Sequence, residues 1–314
     1  MTLAFMFPGQ GSQSVGMLTD WYEQHPAVKA TFDEASTALG YDLWQIAAEG
    51  PEEQLSSTEV TQPALLTASV AIWRAWQADG GPSPGILAGH SLGEYSALVC
   101  AEALNFSAAV QLVRTRGQLM QSAVAPGEGA MAAVIGLDDD VVEAACEAVE
   151  DGIVAAANFN APGQVVIAGE AAAVAAASAN CEAGGARRIV PLAVSVPSHS
   201  PLMTTIAPQF GEALAEIDIR TPMTPVVNNV YATVEMDPDT IRDALIQQLD
   251  HSVQWSACVR LMAQRGATRF AECGPGRVLS GLLRRIHKPA KALALETPSG
   301  AADARTLLAE ESGT

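Results

Sequence analysis

The sequence predicts an α/β protein in which a smaller unit is inserted into a larger one, and three observations support this. Short apolar runs typical of buried strands, such as residues 3–7 and 85–88, alternate with longer helical patterns. A Gly-His-Ser-Leu-Gly pentapeptide at residues 89–93 lies between such an apolar run and a helical pattern. Within residues 129–195 the order changes to strand, helix, strand, strand, helix, strand.

Composition excludes several classes of function. The 314 residues are 49% hydrophobic and 17% charged, which is typical of a globular protein with sizeable cores. A net charge of −18 argues against nucleic acid as a partner. The five cysteines form no CxxC pair, so we expect free thiols in a reducing cytoplasm, with neither disulfides nor a metal site. No apolar window is long enough for a signal peptide or a membrane span, so no membrane partner is expected.

The first predicted strand, residues 3–7, runs into a loop of small residues at 8–13. This loop is not a dinucleotide-binding fingerprint, because Ser14 occupies the third glycine position. It either brings backbone amides close to a ligand or is a plain turn. Residues 18–58 are expected to be helical in pieces, and residues 62–77 to form a long helix that is buried all round.

The pentapeptide fits the nucleophile elbow G-x-S-x-G, since residues 85–88 predict a strand before it and a helix follows. Its two glycines permit a tight turn that a Cβ would obstruct. The elbow would lift the hydroxyl of Ser91 out of the sheet and place the amide of Leu92 at a helix N-terminus. Alternatively, Ser91 only caps the helix, because Ser91 and Glu94 also fit a capping box.

A further helix is predicted to begin at Ser107 as its N-cap and to run to about residue 123. It carries Arg114 and Arg116. Residues two positions apart on a helix point to nearly opposite sides, so at most one of these arginines can face a given site.

The inserted block has the split βαβ order of a ferredoxin-like unit. Strands are expected at 130–135, 153–158, 164–168 and 186–194, and helices at 138–150 and 170–182. The sequence therefore predicts a ferredoxin-like inserted domain at 129–195. The larger α/β domain is discontinuous and comprises residues 1–128 and 196–314.

The larger domain continues after the insertion. Helices are expected at 201–217, 241–249, 253–264 and 277–286, and strands at 225–230, 267–272 and 292–296. From Thr297 the chain is small, polar and acidic, and we expect it to fray.

A serine nucleophile needs a base within hydrogen-bond reach. Of five histidines, His199 is the best candidate, because it lies in a loop between a predicted strand and a predicted helix. His90 adjoins Ser91, but its side chain leaves the elbow in a different direction. A structural role for His199 remains the alternative. The carboxylates between Ser91 and His199 lie mostly in the inserted block, which argues against an ordinary esterase triad.

Five motifs, in order, resemble those of the malonyl-CoA:acyl-carrier-protein transacylases of bacterial fatty acid synthesis, and of polyketide synthase acyltransferase domains. They are Phe-Pro-Gly-Gln-Gly-Ser-Gln at 7–13, Gly-His-Ser-Leu-Gly-Glu-Tyr at 89–95, Arg-Gly at 116–117, Val-Pro-Ser-His-Ser at 196–200 and Gly-Pro-Gly at 274–276. The resemblance extends from residue 2 to about 297. It implies an α/β-hydrolase-like core domain with an inserted ferredoxin-like small domain.

The resemblance assigns roles in catalysis to five residues. Ser91 is similar to the nucleophile that carries the malonyl ester, and His199 to its general base. The backbone amides of Gln10 and Leu92 resemble an oxyanion hole. Gln254 resembles the residue whose backbone carbonyl orients the histidine, which would explain the missing triad carboxylate.

Three more residues resemble substrate-binding positions of the family. Arg116 is similar to the arginine that binds the free carboxylate of malonate, and Met120 and Asn160 match pocket positions. A guanidinium fork can hold a carboxylate with two hydrogen bonds. An acyl group without a carboxylate would leave that buried charge unpaired and would be rejected.

The implied activity is ping-pong transfer of malonyl from malonyl-CoA to the phosphopantetheine thiol of acyl carrier protein, without a cofactor. We expect a cytoplasmic monomer that binds its carrier protein transiently. Alternatives are a polyketide-type or malonate-decarboxylase-associated acyltransferase, a plain serine hydrolase and a non-catalytic carrier-protein binder. Because carrier proteins are acidic, a local basic patch should attract them. Candidates are Arg284, Arg285, Lys288 and Lys291, followed by Arg187 and Arg188.

Overall fold

Two β-sheets organise the structure, a computed structural model that describes residues 2–194 and 196–312. The strands are β1 (Thr2–Phe7), β2 (Ile86–Gly89), β3 (Gly129–Ile135), β4 (Val154–Ala161), β5 (Gln164–Glu170), β6 (Arg188–Pro191), β7 (Val226–Val227), β8 (Val234–Glu235), β9 (Ala267–Glu272) and β10 (Lys291–Ala294). The larger sheet has the order β10-β9-β1-β2-β7-β8, and the smaller has the order β4-β5-β3-β6. The predicted domain boundary at Ser195 and the end of the predicted frayed tail lie outside the described residues, as does Met1.

Helices pack against both sheets. They are α1 (Thr19–Gln24), α2 (Pro26–Leu39), α3 (Leu43–Glu49), α4 (Glu52–Ser56), α5 (Thr58–Ala78), α6 (Gly93–Cys100), α7 (Phe106–Ser122), α8 (Asp139–Glu147), α9 (Ala171–Ala183), α10 (Ala207–Ala215), α11 (Pro238–Gln247), α12 (Trp255–Gln264), α13 (Val278–Ile286) and α14 (Pro298–Ser312). A 3₁₀ helix at Pro201–Ile206 precedes α10.

The central strand β1 is buried on both faces, as its continuous apolar run predicts. Phe5 and Phe7 lie in the core that includes α5 and α7. Ala4 and Met6 lie on the opposite side, in the core that includes Trp255 of α12. Strand β1 therefore stands between two helical layers.

Helix α5 fills much of the first layer and confirms the predicted long buried helix at 62–77. It packs against α2 and α7. Two of its tryptophans meet the ring of Phe5 edge-on, with centroid distances of 5.3 Å for Trp73 and 5.6 Å for Trp76. Because apolar residues occur on every side of the helix, it is stable only inside the protein.

Three loops converge at the carboxyl edge of the larger sheet. Strands β1 and β2 are parallel, with Phe7 opposite Gly89, so the loops after them leave side by side. The contact is close enough that a Cβ on Gly9 would lie 2.4 Å from the carbonyl oxygen of His90. The turn after β9 joins them, because a Cβ on Gly274 would lie 2.3 Å from Cγ of Pro8. This edge is where an open α/β sheet places its ligand site.

The smaller sheet is antiparallel and has the predicted order of elements, β3-α8-β4-β5-α9-β6. Helices α8 and α9 share a core with one of its faces, in which Val142 and Cys181 are buried. Backbone hydrogen bonds also join its strand β4 to the larger unit. The amide of Phe159 donates to the carbonyl of Val253, and the amide of Val253 donates to the carbonyl of Ala157, both at 2.9 Å.

The expectation that the chain frays from Thr297 is wrong, because α14 occupies Pro298–Ser312. Ala301, Ala304 and Leu308 recur at helical spacing and are buried in the first core. Glu311 also accepts a hydrogen bond of 2.8 Å from Nε of Arg269. The overall composition of this segment is acidic and rich in small residues, so the short apolar stripe was not recognised from the sequence.

Other element boundaries also differ from the predictions. Ser107 is not the N-cap of α7; that role belongs to Asn105, whose Oδ1 accepts from the amide of Ala108 at 3.1 Å. The predicted helix at 201–217 is divided into the 3₁₀ helix and α10, with Pro208 at the start of α10. Proline is compatible with a first helical turn but not with a helix interior.

All five cysteines are free and buried, as predicted. Within residues 2–194 and 196–312, no helix combines the length and apolarity that crossing a bilayer requires. In the same ranges no group of three or more histidine, cysteine, aspartate or glutamate side chains is arranged to hold a metal ion.

Candidate active site

Ser91 lies at the tip of a strained turn at the carboxyl edge of the larger sheet. Its φ is 51°, in the left-handed region that few non-glycine residues adopt. A Cβ on Gly89 would lie 1.8 Å from the carbonyl carbon of Gly93, and a Cβ on Gly93 would lie 2.0 Å from the carbonyl oxygen of Phe7. Both glycines are therefore required by close backbone contacts, as the elbow pattern predicts.

The alternative of a capping box at this turn is wrong. The N-cap residue of α6 is Leu92, and no side chain caps the helix. The carboxylate of Glu94 instead accepts hydrogen bonds from the amide of Asn229 at 3.0 Å and from Nε2 of Gln248 at 2.7 Å. Ser91 is thus free of a capping role, and its hydroxyl is available for another partner.

That partner is His199. The hydroxyl of Ser91 lies 2.7 Å from Nε2 of the imidazole. Nδ1 of the same ring donates to the backbone carbonyl of Gln248 at 2.6 Å, so the proton is on Nδ1 and Nε2 is an acceptor. Burial, reinforced by the positive charge of Arg116, lowers the pKa of His199 to about 3. The imidazole is therefore a neutral base poised beside a hydroxyl.

The prediction that Gln254 orients this histidine is wrong, because Gln248 supplies the carbonyl. Gln248 follows the last residue of α11, where helix carbonyls have no partner within the helix and carry partial negative charge. Gln254 instead precedes α12, and its backbone amide donates to the backbone carbonyl of Asn229 at 2.9 Å. The sequence offered no signal to distinguish two glutamines six positions apart.

Arg116 enters the same site from α7 and is only 1% exposed. Nη1 donates to Oε1 of Gln62 at 2.9 Å, and Nη2 donates to Oε1 of Gln248 at 3.0 Å. Nη2 also lies 3.5 Å from the hydroxyl of Ser91. Burial lowers the pKa of Arg116 from its usual value, and the negative charge of Glu94 opposes that shift.

Arg114 points away from the site, as the helical geometry predicts. Its guanidinium lies 5.6 Å from the centre of the Tyr41 ring and donates to the carbonyl of Leu39 at 3.3 Å. The two arginines of α7 therefore occupy different environments, although only one residue separates them.

A buried polar network behind Ser91 was not predicted from the sequence. Asn229 accepts from the amide of Ser91 at 2.7 Å and donates to the carbonyl of Gly89 at 2.7 Å, so it holds the turn on both sides. Nε2 of Gln248 donates to the carbonyl of Ser91 at 3.1 Å. Burial raises the pKa of Glu94 to about 7, although its hydrogen bonds from Gln248 and Asn229 and the charge of Arg116 favour the ionised form. The glutamate of the Gly-Glu pair at 93–94 was the one visible sequence signal.

Ser91, His199 and Arg116 line a cavity of about 110 Å³. Gln10 and Leu92 line it, and their backbone amides donate to no acceptor among residues 2–194 and 196–312. Met120 lines it as predicted. Met131 and Leu192, on β3 and just after β6, add a wall from the smaller sheet.

The prediction that Asn160 lines the pocket is wrong. Its Oδ1 instead contacts Nε2 of His90 at 2.7 Å, and His90 is the residue that reaches the cavity. The neighbouring wall position belongs to Asn158. The register of β4 is irregular between Ala156 and Asn158 and again between Phe159 and Ala161, which sequence spacing does not reveal.

The arrangement can support acyl transfer to and from a hydroxyl. It combines a serine, a neutral imidazole acceptor, two unpaired backbone amides and a buried guanidinium around one cavity. The serine and imidazole match the nucleophile–base geometry of covalent catalysis. The guanidinium suits an acyl group that ends in a carboxylate.

Comparisons with known proteins agree with this chemistry. The family model of the acyl transferase domain matches residues 4–296. The malonyl CoA-acyl carrier protein transacylase of Escherichia coli K12 is 54% identical over 305 residues, covering 97% of this chain and 99% of its own. The corresponding Bacillus subtilis protein is 44% identical over 298 residues, covering 94% of each chain.

Solved structures give the same result. The malonyl-CoA:acyl carrier protein transacylase of Xanthomonas oryzae superposes with a TM-score of 0.95 at 54% identity, covering 98% of both chains. A malonyl-transacylase in complex with a type II polyketide acyl carrier protein superposes with a TM-score of 0.96 at 50% identity, covering 98% of this chain and 99% of its own. The chain belongs to the acyl transferase domain family and, within it, to the malonyl CoA-acyl carrier protein transacylases.

Proposed function

We propose that this protein transfers the malonyl group from malonyl-CoA to the phosphopantetheine thiol of an acyl carrier protein and so supplies fatty acid synthesis. The observation that carries the proposal is the meeting of Ser91, His199 and Arg116 around one small cavity. Relatives that share about half of the sequence over nearly the whole chain carry this activity in their names.

In the first half-reaction, Oγ of Ser91 attacks the thioester carbonyl of malonyl-CoA while its proton passes to Nε2 of His199. The negative charge that develops on the carbonyl oxygen is stabilised by the amides of Gln10 and Leu92, each such donor typically contributing ~3–4 kcal/mol. The carbon–sulfur bond then breaks. His199 returns the proton to the departing CoA sulfur, and a malonyl ester remains on Ser91.

The second half-reaction runs the same steps in reverse with a different thiol. The thiol of the carrier protein gives its proton to His199 and attacks the ester. Ser91 leaves and regains the proton. Because one thioester is exchanged for another, the reaction is close to neutral in free energy, and a site that excludes water favours transfer over hydrolysis.

Arg116 is the proposed source of selectivity for malonyl. It is already held by Gln62 and Gln248, so its orientation costs little when substrate arrives. A carboxylate beside its terminal nitrogens gains charge-assisted hydrogen bonds, whereas an acetyl group leaves the buried guanidinium without an anion. Rejection of acyl groups without a carboxylate follows from this difference.

We assign residues 129–195 to a ferredoxin-like inserted domain and residues 1–128 and 196–314 to an α/β-hydrolase-like catalytic domain. Support comes from the sheet order β4-β5-β3-β6 with α8 and α9 against one face, and from the elbow at the end of β2. The insertion contributes Met131 and Leu192 to the cavity wall, so it takes part in enclosing the acyl group.

A transient complex with acyl carrier protein is the proposed partner interaction, and a structural neighbour is in complex with such a protein. Arg284 and Lys288 are exposed at the end of α13 and could attract its acidic surface. Arg285 has a structural role as well, because it donates to the carbonyl of Pro162 at 2.9 Å. We further propose a cytoplasmic monomer that needs no metal or cofactor, consistent with five free cysteines.

Mass spectrometry of the intact protein after mixing with malonyl-CoA tests the proposal. A malonyl adduct that is absent from Ser91→Ala and disappears on addition of acyl carrier protein is the expected result. Continuous release of free malonate without carrier protein would indicate a hydrolase, and the absence of any adduct would indicate a binding protein; either outcome overturns the proposal.

A polyketide-type acyltransferase is the second candidate, because one structural neighbour is in complex with a type II polyketide carrier protein. Competition between fatty acid and polyketide carrier proteins for the malonyl adduct separates the two. Preferential transfer to the fatty acid carrier protein supports the first proposal, and preferential transfer to the polyketide carrier protein supports the second.

A further inference from the structure

Behind the active site, the buried side chains of Glu94 and Arg116 are bridged by the side-chain amide of Gln248. Glu94 is 3% exposed and Arg116 is 1% exposed. Nε2 of Gln248 donates to the carboxylate of Glu94 at 2.7 Å, while Oε1 of the same amide accepts from Arg116 at 3.0 Å. The amide dipole therefore points its N–H at the anion and its oxygen at the cation, which is the favourable orientation at both ends.

The two opposite charges of this pair cancel each other beside the pocket. Four other ionisable groups lie beside the pair or line the cavity, and all four are neutral near pH 7. Burial raises the pKa of Tyr95 and of Cys258 above their usual values. Burial also lowers the pKa of His90 and lowers that of His199 to about 3. Above the pKa of Glu94, and before substrate binds, one positive and one negative side chain are thus enclosed together.

A malonyl carboxylate bound at Arg116 changes that balance. The enclosed groups would then comprise one cation and two anions, and an uncompensated buried charge is strongly unfavourable. We propose that Glu94 takes up a proton from solvent when the malonyl carboxylate binds, so that substrate recognition is coupled to protonation of this positioning residue. The inference rests on the proposed role of Arg116 and assigns to Glu94 a second role in recognition of the malonyl carboxylate.

The geometry allows Glu94 to become a neutral acid without losing its contacts. Both of its hydrogen bonds, from Asn229 and from Gln248, go to Oε2. Oε1 accepts from no donor in residues 2–194 and 196–312, so a proton can be added there while Oε2 continues to accept. Burial has already raised the pKa of Glu94 to about 7, so a second nearby anion needs to raise it only slightly further. When the malonyl group leaves on the carrier protein, the proton returns to solvent.

The sign of the pH dependence follows. Above the pKa of free Glu94, malonyl binding must draw a proton from solution, so the KM for malonyl-CoA should rise with pH by at most about tenfold per pH unit. Below that pKa the proton is already present, and KM should be constant. Acetyl-CoA brings no second anion, so its KM should lack this dependence although it shares the CoA phosphates.

Calorimetry on the non-reacting variant Ser91→Ala measures the coupling directly. Binding of malonyl-CoA at pH 8, in buffers of different ionisation enthalpy, reports the number of protons taken up. We expect uptake of up to about 0.9 proton for malonyl-CoA and none for acetyl-CoA. Adding Glu94→Gln should abolish the uptake, because glutamine reproduces the protonated acid with an oxygen that can accept both hydrogen bonds.

Glu272→Gln is the matched control. Glu272 is also buried with a raised pKa, and it accepts from the backbone amides of Leu279 and Ser280 at the start of α13. It lies outside the cavity that holds Arg116. The Glu272→Gln variant in the Ser91→Ala background should therefore keep the full proton uptake.

Two outcomes would overturn the inference: no proton uptake by Ser91→Ala, or the same uptake with and without Glu94. If Glu94→Gln does not fold, the pH profiles of KM for malonyl-CoA and acetyl-CoA in the unmodified protein decide the question, since parallel profiles refute the coupling. The role of Arg116 is tested separately by the preference of Arg116→Ala for malonyl-CoA over acetyl-CoA. Retained preference refutes the proposed function, whereas lost preference without proton uptake refutes only the role of Glu94.

Discussion

Replacing Arg116 by alanine should remove most of the preference for malonyl-CoA over acetyl-CoA. A buried guanidinium can offer a carboxylate two charge-assisted hydrogen bonds, each contributing about 1.5–3 kcal/mol. Together they amount to roughly 3–6 kcal/mol, or about 10²- to 10⁴-fold in kcat/KM for malonyl-CoA. The substitution also leaves the amide oxygens of Gln62 and Gln248 without their donor, so acetyl-CoA should lose some activity too. The quantity to compare is therefore the ratio of the two kcat/KM values.

The assay is the rate of acylation of Ser91 by each thioester, followed by mass spectrometry of the intact protein. Arg116→Lys should be intermediate, because an ammonium keeps the charge but cannot contact Gln62, Gln248 and the substrate as a planar fork. Arg114→Ala is the control, since that side chain lies over Tyr41 on the other side of α7. It should leave the ratio unchanged.

Two results would refute this reasoning. One is an equal loss for both thioesters in Arg116→Ala, which would make the arginine a structural residue only. The other is an equal effect of Arg114→Ala, which would mean that α7 as a whole, and not one guanidinium, determines selectivity.

Three further predictions concern other parts of the molecule. Gln248→Ala keeps the backbone carbonyl but loses the side-chain amide between Glu94 and Arg116. Because each lost hydrogen bond to a charged group costs about 1.5–3 kcal/mol, kcat/KM for malonyl-CoA should fall about 10-fold or more. Gln254→Ala should retain activity in the same assay, and equal losses in the two variants would contradict the role of the Gln248 side chain. Leu308→Ala should lower the free energy of unfolding in urea by about 2–3 kcal/mol, because it empties a buried site under α14; an unchanged midpoint would mean that α14 contributes little to stability. Arg284→Glu should raise the KM for acyl carrier protein and leave that for malonyl-CoA unchanged, and a parallel rise in both would exclude a docking role.

Local sequence was sufficient to predict the features that depend on short-range geometry. The two glycines around Ser91 predict a tight turn, and in the structure a Cβ on either glycine would collide with neighbouring backbone atoms. Helical spacing predicts that Arg116 and Arg114 point to different sides of α7, and the two side chains have different partners. The continuous apolar run at residues 3–7 likewise predicts a buried strand, and β1 is buried there.

Tertiary structure alone decided which distant groups meet. Gln248 rather than Gln254 orients His199, because the end of α11 happens to present its free carbonyl to the imidazole. Asn229 contacts Ser91 and Glu94 across separations of 138 and 135 residues. Such contacts depend on how whole elements pack, and a hydrogen bond between residues far apart leaves no local pattern in the chain. Periodicity and turn chemistry therefore determine the elements, whereas the polar network that holds Ser91, His199 and Arg116 together exists only once those elements are packed.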